Sequence, residues 1–315
     1  MSGRGKQPAA RPATDQLAGL AGRLGDRDRQ LCQLLHDHQV LTTDQLAHLL
    51  ATPPRTLQQR LAELTALQLV DRFRPHTGVG AGSAPYHYLL GEAGARVLAA
   101  EAATSLEGLG WQPEQLLRLA AANGALAHLL GVNSLLAALT HAAHTRAGSR
   151  LVCWWPARRC QARWGRLITP DAYVRWQDPS GEVDCFLHHD PGQPDPGQLG
   201  GLLAGYNDLA TATTITTPVL WWLTDADREA GLRRLLDGQP LLVPVATANP
   251  TCGHPADPVW LPTSSPDGSQ RYRLGGLGHP QPWQPTGTRM VAPPRPRTHA
   301  HATPAVRVEG LGPWR

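Results

Sequence analysis

Arg55, Gln58 and Gln59 are the residues whose types and spacing carry the clearest chemistry. A guanidinium can pair with two acceptors of guanine and a carboxamide with adenine. Offsets of three and four place such residues on one side of a helix. Arg60, Arg72, Arg74 and His76 follow in positions suited to phosphate contacts. A second set, Cys153, Cys160, Cys185, His188, His189, Cys252 and His254, offers thiolate and imidazole donors. It lacks any CxxC pair, and structural zinc needs four well-spaced ligands, so buried thiols and surface histidines are expected instead. Ser83 and Ser134 have no G-x-S-x-G surroundings, and neither a P-loop nor a dinucleotide fingerprint occurs, which removes ATP- and NAD-driven chemistry.

The groove-reading residues need a helix to carry them. DRDRQLCQLLHDHQVLTTDQLAHLL reads as two helices broken at Val40–Leu41, with Thr42 or Thr43 able to cap the second. Thr52-Pro53-Pro54 then ends one helix and starts another, because proline suits only a first turn. The third helix is predicted from Pro54 to Gln68, with Leu57, Leu61, Leu64 and Gln68 along its inner side. LVDRFRPHTGVGAGSAPYHYLL follows as a Gly-tipped β-ribbon, with Arg72 and Arg74 sharing one face and Tyr86 and Tyr88 another. Three helices and a ribbon in this order predict a winged helix-turn-helix, whose third helix enters the major groove. The alternative is that the module docks onto protein.

Beyond Gly148, segments 150–155, 167–176, 182–188, 218–223 and 241–245 read as strands, and 198–210 and 226–237 as helices. One member of each tryptophan pair, Trp154-Trp155 and Trp221-Trp222, is expected in the core. The chain of 315 residues carries 29 Lys+Arg against 25 Asp+Glu, and its only lysine is Lys6. Its 32 Gly and 29 Pro exceed what one compact domain uses throughout. Five scattered cysteines argue against a disulfide framework. The basic start has no apolar stretch behind it and no apolar run reaches bilayer length, so the expectation is a cytoplasmic protein away from the membrane.

Several stretches are familiar as a set: LVCWWPARRCQARWGRLITPDAYVRW (151–176), EVDCFLHHDPG (182–192), LGGLLAGYNDLA (199–210), HLLGVNSLLAAL (128–139) and TPVLWWLTDADREAGLRRLL. With the helix-turn-helix they resemble the replication-relaxation family, proteins of plasmids and mobile elements, over about residues 26–275. Trp154-Trp155, Pro170-Asp171, Phe186-Leu187 and Gly205-Tyr206 are the most specific matches. The resemblance implies a second half related to PD-(D/E)xK nucleases, where an Asp after a Pro and a Glu one strand later hold Mg²⁺ and a Lys orients the attacking water. Here Asp171 matches, His188 stands where the Glu belongs, and Asp190 stands where the Lys belongs. Arginine stays protonated and replaces that lysine poorly.

The expected fold is therefore α+β. A disordered lead covers 1–23, a winged helix 24–110, a helical connector 111–148, a degenerate restriction-endonuclease-like α/β domain 149–275, and a disordered Pro-rich tail 276–315. The expected function is binding double-stranded DNA in the replication, relaxation or transfer of a plasmid or integrated element, with no cofactor. Replication or transfer proteins are the implied partners, and a homodimer is compatible with the reading. The alternatives are a divergent nuclease using Mg²⁺ or Mn²⁺ on Asp171 and Asp190, and a non-catalytic interaction adaptor or transcriptional regulator.

Overall fold

A computed structural model describes residue 22 and residues 24–75, 84–114, 119, 124–192, 196–265 and 269–283. The protein is mixed α+β with two sheets, and its contacts divide it into two compact units. The first draws its described residues from 1–43 and 53–116, the second from 44–52 and 117–310.

The amino-terminal part of the chain runs α1 (Asp26–His38), β1 (Leu41–Thr42), α2 (Thr43–Leu49), α3 (Pro54–Ala66), β2 (Val70–Phe73), β3 (His87–Leu90), α4 (Glu92–Glu101) and α5 (Leu106–Leu109). Pro54 opens α3, and Leu57, Leu61 and Leu64 form its fully buried side. Gln68, expected on that side, lies beyond the helix end, exposed and with φ 59°. The sheet is antiparallel in the order β1-β3-β2, pairing Arg72 with Tyr88 and Leu41 with Tyr88 on opposite edges of β3. Gly91 turns the chain into α4, where a Cβ would collide with the carbonyl of Gln68.

The second unit holds α6 (Ala125–Thr145), β4 (Arg150–Pro156), α7 (Ala157–Trp164), β5 (Ala172–Asp178), β6 (Gly181–Asp190), α8 (Pro196–Thr213), β7 (Val219–Leu223), α9 (Ala226–Leu236), β8 (Val245–Ala248) and β9 (Leu261–Pro262). The sheet order is β4-β5-β6-β7-β8-β9. β4 to β6 are antiparallel neighbours, β6 to β8 run parallel through the crossovers α8 and α9, and β9 is antiparallel to β8. Phe186, Tyr206, Trp221, Leu232 and Val245 fill the core on one side. Parallel strands covered on both faces are apolar throughout, and β7 is buried at every position. Both Trp221 and Trp222 are therefore buried, where one of the two was expected to be. Gln45 and His48, on α2, belong with this unit. Gln45 Nε2 donates to the Leu130 carbonyl and to Ser134 Oγ, both at 3.0 Å, and His48 packs on His141.

α6 is long and apolar enough to cross a bilayer, contrary to the reading that no run is. Val132, Leu135, Leu136 and Leu139 bury its inner side, and it packs against β4 and β6 as a core helix does. The segment 167–171, expected to begin a strand, is irregular up to Pro170. The predicted strand at 241–245 falls instead at Val245–Ala248, because Pro240 and Pro244 lack the N–H that pairing requires. The start of the expected disordered tail is folded: Leu277 and Trp283 are buried, and the Trp283 indole donates to the Leu277 carbonyl. Cβ atoms at Gly275 and Gly278 would collide with the carbonyls of Gly181 and Glu182, so only glycine lets this segment lie on the β6 backbone.

Candidate functional site

Two sets of polar residues stand out, one in each unit. On α3, Arg55, Thr56, Gln58, Gln59 and Ala62 are exposed, opposite the buried leucines. The helix thus presents an Arg and two amides from its first turns to solvent. Arg60, one residue on, points elsewhere. Its Nε and Nη2 donate to the two oxygens of Asp28 at 2.8 and 2.6 Å, and its Nη1 donates to Glu63 at 2.6 Å. The Asp28 side chain is 1% exposed and also accepts from the Gly25 N–H at the start of α1. Arg60, expected at a phosphate, is engaged by an internal ion pair whose release would strand a buried carboxylate.

Arg72 and Arg74 are exposed, and their guanidinium groups lie 4.4 and 3.8 Å from the ring centre of Tyr86. Stacking on one ring holds both charges on the same side of the ribbon. His76 and the glycine-rich tip of the ribbon lie outside the described residues.

In the second unit, antiparallel pairing of β5 with β6 brings Asp171 beside the end of β6, where His188, His189 and Asp190 follow one another. Asp171 Oδ1 accepts from His128 Nε2 on α6 at 2.8 Å, and Oδ2 accepts from the His189 backbone N–H at 2.8 Å. Burial pushes the Asp171 carboxyl up, but the His128 hydrogen bond, the nearby imidazoles and the His189 N–H outweigh it and hold it below the usual carboxylate range. The hydrogen bond to Asp171 raises the imidazole of His128 against its own desolvation. His188 is stacked on Trp221 at 4.4 Å, and its Nε2 shares a 2.7 Å hydrogen bond with the Tyr206 hydroxyl. Burial lowers His188 and raises Tyr206, so both are neutral near pH 7. His189 packs against Gly131 of α6, where a Cβ would collide with its ring. Asp190 is fully buried: Arg228 Nε donates to it at 2.5 Å and the Gly192 N–H at 2.8 Å.

This is a neutralised acidic pair, with an imidazole on one carboxylate and a guanidinium on the other. Mg²⁺ or Mn²⁺ would need several oxygens free to converge on one point. The Asp190 carboxylate faces Arg228, and Asp184, a further carboxylate on β6, is bound by Arg175 at 2.5 Å. Among the described residues no three His, Cys, Asp or Glu side chains are grouped to hold a metal ion. The residues present do not fit the divalent metal that the resemblance implies. For zinc, burial pushes the thiols of Cys153 and Cys160 up to about 11 and about 12, away from the thiolate a metal requires.

The sequence reading named Asp171, His188 and Asp190, and the fold brings all three to one end of β5 and β6. It missed His128 and Arg228, the residues that neutralise them. Both lie inside the stretches that carry the resemblance, on elements 43 and 38 residues away.

No curated protein and no solved structure matches the chain. A family model described as replication-relaxation matches residues 32–220, a span from within α1 into β7 that takes in Arg55, Gln58, Gln59, His128, Asp171 and Asp190, while Arg228 lies beyond it. The chain belongs to the replication-relaxation family.

Proposed function

We propose that this protein binds double-stranded DNA through a winged helix-turn-helix whose α3 and β-ribbon lie in its first unit. Family membership supports a role in the replication or relaxation of a plasmid or mobile element, and transfer of such an element is a third setting for the same activity. The observation that carries the reading is the outward face of α3: Arg55, Gln58 and Gln59 exposed in its first turns and backed by three fully buried leucines. The amino-terminal half of a recognition helix is the part that meets base edges. Arg72 and Arg74 on the ribbon add fixed positive charge suited to the phosphate backbone. A homodimer would offer two such faces to two half-sites, and replication or transfer proteins of the same element are the partners this role calls for.

The second unit is read as a nuclease-like domain that no longer cuts. Its acidic pair sits at adjacent ends of neighbouring strands, yet Arg228 and His128 occupy the carboxylates.

The test is binding of origin-region duplex by the full chain, followed by fluorescence anisotropy. Arg55→Ala with Arg72→Ala should weaken binding by on the order of tenfold or more, since a base contact contributes about 1–3 kcal/mol and a phosphate contact adds to it. Undiminished affinity in the double variant overturns the placement. Supercoiled plasmid incubated with the protein and Mg²⁺ or Mn²⁺ should stay supercoiled. Nicking that disappears in Asp171→Ala would instead establish a working nuclease.

A further inference from the structure

Between Glu114 and Asp171 the chain has no carboxylate at all, although it carries 25 in 315 residues, and the same span holds seven arginines. Four of them, Arg158, Arg159, Arg163 and Arg166, lie on α7 and the turn that follows it. Arg158, Arg163 and Arg166 are exposed, and neither Arg163 nor Arg166 makes an ion pair among the described residues. Helices favour acidic residues in their first turn, where the peptide dipoles converge as positive charge. α7 has none there and carries Arg158 and Arg159 instead. The charge is placed against the local preference of the helix.

α7 is also held rigidly. Cys160 is fully buried beneath it, and the Trp164 ring stacks on Trp155 at 5.5 Å and meets Phe186 edge-on at 5.0 Å. The Arg159 guanidinium lies 4.3 Å from the Trp155 ring centre, so one arginine is immobilised by the same aromatic stack. The result is a cationic surface on a well-anchored helix of the second unit, in a segment whose own sequence carries no acidic residue.

We infer that α7 and the turn through Arg166 form a second nucleic-acid surface, which holds the phosphate backbone of duplex DNA through arginine charge without reading sequence. Such contacts supply affinity by releasing counterions, and they make binding salt-dependent. The inference stands on the second unit alone and does not rest on α3.

The experiment measures the affinity of the full chain for duplex DNA across a series of salt concentrations. It compares wild type with Arg158→Gln/Arg163→Gln/Arg166→Gln, with the same three positions changed to Lys, and with Arg55→Ala/Arg72→Ala. The Gln triple variant should lose on the order of tenfold in affinity, and its plot of log affinity against log salt should be shallower by about three. The Lys triple variant should recover most of both. Arg166→Gln alone, outside the helix, should lower the slope by about one and serves if the triple variant does not fold. A Gln triple variant matching wild type in affinity and slope overturns the inference, as does a Lys variant as weak as the Gln variant. If only the Arg55/Arg72 variant loses binding, this surface is wrong and the α3 reading stands. If only the α7 variant loses it, the α3 reading falls and this one stands. A wild-type chain that binds no duplex removes both.

Discussion

The α3 face and the Asp171–Asp190 pair make opposite use of polar residues. Arg55, Gln58 and Gln59 project into solvent from a helix whose other side is three buried leucines. Asp171 and Asp190 are turned inward and each is matched by a cationic or imidazole partner. Exposed groups that make few internal bonds remain available to a ligand. Buried ion pairs with one partner removed leave a charge in low dielectric, so such pairs act as structure. Arg60 shows both sides of the distinction within one helix: it is next to Gln59 in sequence but belongs, through Asp28, to the structural class.

Four substitutions break or sharpen this comparison. The largest effect should come from Arg228→Ala, which leaves the fully buried Asp190 carboxylate with the Gly192 N–H as its remaining hydrogen bond named above. A loss of about 3–5 kcal/mol is expected, read from urea unfolding by tryptophan fluorescence. A loss under about 1 kcal/mol would place Asp190 with the exposed, dispensable groups. Arg60→Ala should cost somewhat less, about 2–3 kcal/mol, because Arg60 is itself a quarter exposed while Asp28 is buried. Hydrogen exchange in α1 and α3 would report it, and unchanged protection would return Arg60 to the set of candidate DNA contacts.

The third test uses pH. His128 is raised by Asp171, so its stabilisation is complete below the ordinary imidazole value of 6.5 and fades as pH climbs through the raised one. His188 and His189 are lowered by burial, so their contribution is present above 6.5 and is lost as pH falls below it. The two trends oppose one another in the wild type. His128→Gln removes the first and leaves burial, the largest cause of the second, in place, so its melting temperature should fall more steeply on acidification, by a few degrees over about pH 8 to 6. Parallel curves for the two proteins would mean that the His128–Asp171 contact does not couple to folding. The smallest effect belongs to Arg55→Ala, whose stability should stay within about 0.5 kcal/mol of wild type while its DNA affinity drops. A large destabilisation would mean that α3 uses this side for packing.

What could be read from the sequence was local. The leucine spacing and Pro54 made α3 visible because a helix side and a first-turn proline are encoded within a dozen residues. The two-residue β1 left no periodic signal, and α7 hid in ARRCQARW, a short polar run between strands with one fully buried position, Cys160. The partners of Arg60, Asp171 and Asp190 were not legible, since Asp28, His128 and Arg228 lie 32, 43 and 38 residues away along the chain. The two aspartates themselves came from family resemblance. That resemblance preserves positions, whereas the ion pairs that reassign them are three-dimensional.

The glycine-dependent seating of residues 275–283 bears on how the molecule can be trimmed. Gly275 also donates its N–H to the Asp178 carboxylate, which in turn receives the Trp176 indole N–H. A shortened protein ending at Arg273 would strip this brace from β5 and β6 and remove the buried side chains of Leu277 and Trp283. A recombinant fragment that keeps the second unit whole therefore has to extend at least through Trp283, ten residues past Arg273.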